Sequence, residues 1–124
     1  MIITEKPSQA KTIADALADD KVITKLNKKV RFYEIKHNGK SIIIVCAVGH
    51  LYNLTEREKP KKDYINFDLE WRPSHEISKS AEFTKPYLET IKIQSKNCDD
   101  FYLGCDLDVE GELLGANIIK FIIQ

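Results

Sequence analysis

The amino-acid sequence predicts an α/β fold, in which short apolar strands form a sheet and amphipathic helices pack against it. Three stretches of the chain carry this prediction. Residues 1–5 form a short apolar run, and a polar turn and a helical pattern follow it. Residues 41–48 are almost entirely apolar, which is typical of a strand in the middle of a sheet. Residues 101–105 form another short apolar run, which a second helical pattern follows.

The first strand and helix bring an acidic residue to one edge of this sheet. The strand ends in Glu5, the turn Lys6-Pro7-Ser8 breaks it, and Ser8 suits a helix N-cap. Because the carboxyl ends of parallel strands share one edge, we expect Glu5 to lie near the residues that follow the strand at 101–105. Apolar side chains then recur at the spacing of one helix face, at Ala10, Ile13, Ala14, Leu17 and Ala18.

The middle of the chain contains a predicted hairpin. Residues 21–29 are polar and have little pattern, whereas residues 30–36 and 41–48 are predicted strands joined around Asn38-Gly39, a strong hairpin signal. His50 follows the second of these strands. Its position suits a contact with a phosphate or carboxylate and, equally, a structural hydrogen bond.

A long loop and a helix are predicted next. Residues 55–73 are charged and contain two prolines and scattered aromatic side chains, which indicates a loop lying against the domain. Within it, Trp71 and Arg72 could stack on a nucleic-acid base, although packing of the aromatic side chains onto the core is favoured. A helix is then predicted to start at Ser78 or Ser80, with Pro86 kinking it or delaying its first turn.

Length and charge limit the class of protein. At 124 residues the chain matches one domain with its own hydrophobic core. Its formal net charge is zero, but residues 1–62 hold 13 lysines and arginines against 7 acids, and residues 63–124 hold 6 against 12. A basic half could face phosphates while an acidic half holds a metal ion, and solvated lysine-rich loops explain the same pattern equally well.

Cysteine and hydropathy patterns exclude several other classes. The three cysteines are odd in number and have no metal-binding spacing, so neither a disulfide framework nor a zinc site is supported. The longest apolar run is too short to cross a bilayer, and the N-terminus lacks a signal-peptide pattern. A soluble cytoplasmic protein is therefore predicted.

The strongest functional signal is an acidic cluster directly after the strand at 101–105. It contains Asp106, Asp108, Glu110 and Glu112, with Gly111 letting the backbone come close. So many like charges repel one another unless a cation lies among them, and hard carboxylate oxygens suit Mg²⁺ far better than Zn²⁺. The alternative is that the acids merely favour the N-terminus of the following helix.

Three segments together resemble the Toprim domain that opens type IA DNA topoisomerases. They are Glu5-Lys6-Pro7-Ser8-Gln9-Ala10-Lys11, Val48-Gly49-His50-Leu51, and the cluster from Asp106 to Glu112. The resemblance spans essentially the whole chain, and it is closest to archaeal members, because Val109 stands where bacterial members usually have arginine. It implies one Toprim domain over residues 1–124, with a Rossmann-like sheet of four parallel strands flanked by helices and an added antiparallel hairpin strand.

The resemblance also implies an activity and roles for individual residues. Family enzymes use Mg²⁺ and no ATP to cut one DNA strand through a tyrosine, pass a strand through the gap and reseal it. Glu5 matches the proposed general acid and base, and Lys6 matches a lysine near the scissile phosphate. Asp106, Asp108 and Glu110 match the metal-binding acids. Glu112, His50 and Lys11 are further candidates for metal or phosphate contacts.

The catalytic tyrosine is expected elsewhere. In the family it lies in a separate downstream domain, and no tyrosine of this sequence matches its setting, so the chain resembles an N-terminal piece of a longer topoisomerase. The apolar segment at 118–123, which lacks a helix C-cap, agrees with this interpretation. Two other functions remain open. One is a Toprim primase or metal-dependent nuclease, and the other is a non-enzymatic module that binds an ion or a partner.

Overall fold

The computed structural model describes residues 1–57 and 67–123 and has the α/β class that the sequence predicts. Its strands are β1 (Ile2–Thr4), β2 (Ile23–Asn27), β3 (Val30–His37), β4 (Lys40–Cys46), β5 (Tyr52–Glu56), β6 (Leu69–Pro73) and β7 (Tyr102–Gly104). Its α-helices are α1 (Pro7–Leu17), α2 (Ser74–Ile77), α3 (Lys85–Ser95) and α4 (Val109–Ile118). A 3₁₀ segment spans Lys79–Thr84, and a π-helical segment, Ile119–Ile123, continues α4.

A five-stranded sheet with the order β2-β3-β4-β1-β7 forms the centre of the domain. β1 runs parallel to both of its neighbours, so that Ile3 lies between Val45 of β4 and Leu103 of β7. β2, β3 and β4 pair antiparallel. The prediction of four parallel strands is therefore wrong for the described part of the chain, where three are parallel. Two-residue turns join β2 to β3 and β3 to β4, and parallel pairing would need a much longer crossover.

Each face of this sheet carries an apolar cluster. α1 covers one face, where Ala10 and Ala14 pack with Tyr33 of β3. The other face packs against α3 and α4, through Ile91 and Leu114 among others. β1 lies inside the sheet and β7 at its edge, and the carboxyl ends of both strands lie at the same end of the sheet.

Two predicted irregular stretches contain strands. β2 lies within the polar stretch at 21–29, and it is an edge strand whose side chains are mostly exposed, so it needs no apolar alternation. β5 and β6 pair as an antiparallel hairpin, which replaces both ends of the loop predicted at 55–73. Residues 58–66 of that predicted loop, with Tyr64 and the lysines near it, lie outside the described residues.

The structure decides the other open points in this region. Ser78 starts a 3₁₀ turn by accepting a hydrogen bond from the amide of Ser80 at 3.3 Å, and α3 begins only at Lys85, with Pro86 in its first turn. The proline therefore delays the α-helix. Trp71 packs against the apolar cluster on the α3 side, which confirms core packing over base stacking. None of the helices in the two described ranges is long and apolar enough to cross a membrane.

Candidate active site

Parallel pairing brings the two acidic segments of the chain together. The last register pair between β1 and β7 is Thr4 with Gly104, so the chain leaves both strands at the same edge of the sheet. Glu5, which is half-buried, follows β1 directly, and Asp106 comes two residues after β7. Thr4 is buried and its hydroxyl lies 3.2 Å from the carbonyl oxygens of Val45 and Lys6, which fixes the turn into α1.

Asp106 contacts the start of α1 through both of its carboxylate oxygens. Lys6 Nζ lies 3.2 Å from Asp106 Oδ2, and Gln9 Nε2 donates to Asp106 Oδ1 at 2.9 Å. Gln9 Oε1 in turn accepts a hydrogen bond from the amide of Lys6. The N-cap of α1 is Lys6 and not Ser8, because Pro7 occupies the first helical position, where its missing N–H costs nothing.

Asp108 and Gly111 form the start of α4. Asp108 is the N-cap, and its Oδ1 accepts a hydrogen bond from the amide of Gly111 at 2.8 Å. A Cβ atom on Gly111 would lie 2.2 Å from the carbonyl oxygen of Asp106, so this position requires glycine. Asp106 and Asp108 are not part of a strand, because β7 ends at Gly104 and a turn closed by the Asp108 amide and the Asp106 carbonyl follows. The alternation of side chains along a strand therefore does not determine how these two aspartates are oriented.

Glu110 and His50 bring a second loop to the site. His50 Nε2 lies 2.5 Å from Glu110 Oε2. The backbone of this loop is held by Ser74, which is 2% exposed. The Ser74 hydroxyl donates to the His50 carbonyl at 2.7 Å and accepts from Asn53 Nδ2 at 2.9 Å, while the Ser74 amide donates to the carbonyl of Leu51.

Val48 turns the chain from β4 towards His50. Its φ is +58°, a left-handed conformation that is unusual for a β-branched residue. The Val48 amide donates to the Glu5 carbonyl at 3.0 Å and to Cys46 Sγ at 3.3 Å. The strained residue therefore ties the His50 loop to the end of β1.

Electrostatic effects agree with a crowded acidic site. The hydrogen bond and charge of Asp106 raise the pKa of Lys6, and the charges of Glu5 and Asp108 add to this effect. Burial raises the pKa of the Cys105 thiol, and Glu5, Asp106 and Asp108 raise it further. An open cleft of about 550 Å³ borders the site on the α4 side, and it is lined by Leu103, Cys105, Asp106, Leu107, Asp108, Val109, Gly111 and Glu112.

The predicted metal ligands contact different groups. Within residues 1–57 and 67–123, no three side chains of the Asp, Glu, His or Cys type are grouped closely enough to hold a metal ion. The donor set of Asp106, Asp108 and Glu110 nevertheless fits Mg²⁺, which prefers carboxylate oxygens. The side chains of Asp106 and Glu110 are 48% and 74% exposed, so they can change rotamer at little cost to packing.

The other two candidates, Glu112 and Lys11, have different surroundings. Glu112 is exposed in the first turn of α4 and lines the 550 Å³ cleft. The Lys11 ammonium pairs with Asp15 of α1 at 2.6 Å and not with the acidic cluster after β7. Sequence reasoning missed Gln9 and Ser74. Gln9 follows the N-cap by three residues, the spacing at which a Gln side chain caps a helix, whereas no local signal marks Ser74.

The fold and the acidic edge define an α/β domain with a carboxylate site at the ends of two parallel strands. The Toprim domain family matches residues 1–123, and the chain belongs to this family. It is 42% identical over 122 residues to a protein named DNA topoisomerase 1 from Methanocaldococcus jannaschii, and 40% identical over 124 residues to one of the same name from Pyrococcus furiosus. Each match covers 98% of this chain, but only 16% and 11% of the respective relative.

Proposed function

We propose that this chain is the Toprim domain of a type IA DNA topoisomerase of the archaeal kind. In the proposed reaction, a tyrosine hydroxyl from a further domain attacks a phosphodiester of one DNA strand. A 5′-phosphotyrosyl bond forms, the 3′ oxygen of the neighbouring sugar leaves with a proton, and the steps reverse after strand passage. The names and archaeal sources of the relatives support this proposal, as does the small share of their length that the chain spans.

The observation that carries the proposal is the ion pair between Lys6 and Asp106, which links the end of β1 to the end of β7. It brings a base, a cation and an acidic cluster to one exposed edge, and phosphoryl transfer needs these groups together. We assign Glu5 to proton transfer at the leaving oxygen, because it follows a different strand from the acidic cluster. We assign Lys6 to a phosphate oxygen.

Asp106, Asp108 and Glu110 would hold Mg²⁺. When bound, the ion would supply positive charge that stabilises the phosphate during transfer. The protein's own contribution is to direct these carboxylates to the same edge as Glu5. Glu112 and His50 are further candidates at this edge, with His50 already in contact with Glu110.

The metal assignment is tested with Asp106→Asn combined with Asp108→Asn. Removal of two anionic ligands should abolish Mn²⁺-induced broadening of amide NMR signals near Gly111 and the binding heat of Mg²⁺ in calorimetry. Glu89→Gln is the control, because Glu89 lies on α3 and pairs with Lys28. Unchanged broadening in the double variant would contradict the assignment.

The reaction is tested with Glu5→Gln in a polypeptide that also carries the tyrosine-bearing domains. General acid catalysis is typically worth ~10²–10⁴-fold, so cleavage of a single-stranded oligonucleotide should slow by about that factor, with Mn²⁺ binding retained. If Glu5 only supports the start of α1, cleavage stays near normal and stability falls slightly. Loss of Mn²⁺ binding would instead make Glu5 a metal ligand.

The 124-residue chain alone should form no covalent adduct with DNA. Among the described tyrosines, Tyr33 and Tyr52 are buried, Tyr87 packs against the core and Tyr102 lies on the edge strand. A denaturing gel after incubation with single-stranded oligonucleotide should show no protein-linked DNA. An adduct would contradict the proposal that the attacking tyrosine comes from a further domain. Cleavage of the oligonucleotide without an adduct would favour a metal-dependent nuclease.

A further inference from the structure

A second cleft opens beside the first turn of α1. It has a volume of about 270 Å³ and is lined by Pro7, Ser8, Ala10, Lys11, Arg31 and Tyr33. Two of these side chains are basic and none is a carboxylate. Residues of this turn contact two different surroundings. Lys6 and Gln9 contact Asp106, whereas Ser8 and Lys11 line the cleft. The cleft is therefore separate from the acidic site and lies on a different side of α1.

Tyr33 provides an unusual hydroxyl in this cleft. Its side chain is 5% exposed, and its ring packs with Ala10 and Ala14 in the apolar cluster under α1. The hydroxyl has no hydrogen-bond partner among residues 1–57 and 67–123, whereas the hydroxyl of Tyr52, also largely buried, donates to the Phe121 carbonyl. The Tyr33 hydroxyl opens into the cleft, where an acceptor atom of a ligand can take its hydrogen bond.

The remaining donors of the cleft are cationic. Arg31 is exposed and forms no ion pair within the described part of the chain, so its guanidinium is free to contact an anion through two N–H groups. Lys11 pairs with Asp15, but both side chains are more than half exposed, and exposed ion pairs are exchanged easily. The amide of Ser8, in the first turn of an 11-residue helix, adds a donor without an intrahelical acceptor.

We propose that Ser8, Lys11, Arg31 and Tyr33 form a binding site for a backbone phosphate of single-stranded DNA. Four groups that donate hydrogen bonds match the several acceptor oxygens of a phosphate. A strand that crosses the first turn of α1 would place one phosphate at Lys6 and a neighbouring phosphate in the cleft. The choice of DNA as the source of the phosphate rests on the proposed function, whereas the site itself rests on the cleft.

The site is tested first with inorganic phosphate and the 124-residue chain. Phosphate titration should shift the amide NMR signals of Ser8 and Lys11. Tyr33→Phe removes the hydroxyl alone and should weaken phosphate binding roughly tenfold, as expected for one hydrogen bond to a charged group. It should not lower thermal stability, since the hydroxyl has no partner within the described ranges. Unshifted amides, or equal phosphate affinity in Tyr33→Phe, would overturn the site.

A short oligothymidylate then tests the source of the phosphate. Arg31→Gln should weaken its binding at low salt and reduce the slope of log affinity against log salt by roughly 0.7, the loss expected for one contact with single-stranded DNA. Lys92→Gln is the control, since it removes an exposed positive charge on α3, across the sheet from the cleft. Equal slopes for Arg31→Gln and the parent chain, with phosphate binding retained, would overturn the DNA assignment.

The tests of the phosphate site can fail without affecting the test of the acidic site, and the reverse also holds. Arg31→Gln and Tyr33→Phe should leave Mn²⁺ binding at Asp106 and Asp108 unchanged. A failure confined to phosphate and oligothymidylate binding therefore refutes the second site alone. A loss of Mn²⁺ binding in the paired aspartate variant tests the proposed function independently.

Discussion

Gly111→Ala should displace the backbone that presents Asp106. The added Cβ would lie 2.2 Å from the Asp106 carbonyl oxygen, and contacts below 3.0 Å essentially never occur, so the two segments must separate by at least about 0.8 Å. The opposing group is backbone and cannot rotate away. The shift would also weaken the hydrogen bond from the Gly111 amide to Asp108.

The size of the effect follows from two destabilising contributions and one stabilising contribution. Overpacking of this kind costs about 1–3 kcal/mol, and loss of an N-cap hydrogen bond costs about 1 kcal/mol more. Alanine recovers about 1 kcal/mol because it is a better helix former than glycine. Gly111→Ala should therefore lower the free energy of unfolding by about 2 kcal/mol and weaken Mn²⁺ binding through the displaced Asp106.

Gly115→Ala is the matched control for this measurement by urea denaturation. It lies in the same helix, and its added Cβ would also lie 2.2 Å from another atom, but that atom is Cδ1 of Leu103, a side chain that is 42% exposed. Leu103 can change rotamer, so Gly115→Ala should be clearly less destabilising than Gly111→Ala and should retain Mn²⁺ binding. Equal stabilities for the two variants, or a stabilised Gly111→Ala, would refute the reasoning.

Three further predictions concern the supports of the site. Ser74→Ala should destabilise the fold by about 1–3 kcal/mol, because it removes the two hydrogen bonds of the Ser74 hydroxyl, and it should change the NMR shifts of the His50 ring. Burial raises the pKa of Cys46 from 9.0 to about 11, so the folded chain keeps a proton that the unfolded chain loses. The resulting stability is present below pH 9.0 and should decline between pH 9.0 and about 11 in a series of urea denaturation measurements. Because Cys46 is buried and Cys98 is only partly buried, an alkylating reagent at pH 8 should modify Cys98 before Cys46. Val48→Gly should change stability by less than about 1 kcal/mol, because relief of the left-handed backbone offsets the lost apolar contact.

The parts of the fold that the sequence predicted well are those where local pattern and burial agree. β4 is a nearly continuous apolar run, and it lies inside the sheet as expected for such a strand. The turn at Asn38 and Gly39 has positive φ at both residues, which is the backbone that the Asn-Gly hairpin signal requires. The shared edge of Glu5 and the acidic cluster followed from strand direction alone.

The missed elements are stabilised by contacts with other segments more than by their own side-chain pattern. β2 is an exposed edge strand, so pairing with β3 determines it more than its own side chains do. The β5–β6 hairpin joins Tyr52–Glu56 to Leu69–Pro73, and a local pattern cannot report a pairing across that separation. Ser74 was missed for the same reason, because its role depends on the His50 carbonyl 24 residues earlier.

The sequence also does not show which partner each carboxylate of the acidic cluster has. Sequence spacing groups Asp106, Asp108 and Glu110, but the fold gives each carboxylate a different partner, namely Lys6, the start of α4 and His50. Lys6 and His50 contact oxygens of Asp106 and Glu110, so a divalent cation at the cluster would compete with both side chains for the same oxygens. If the proposed Mg²⁺ bound Asp106, the Lys6 ammonium would lose this partner and would be free to contact a phosphate. The pairing between β1 and β7 would thus link the proposed metal binding to the position of Lys6, and no single segment of the sequence encodes that link.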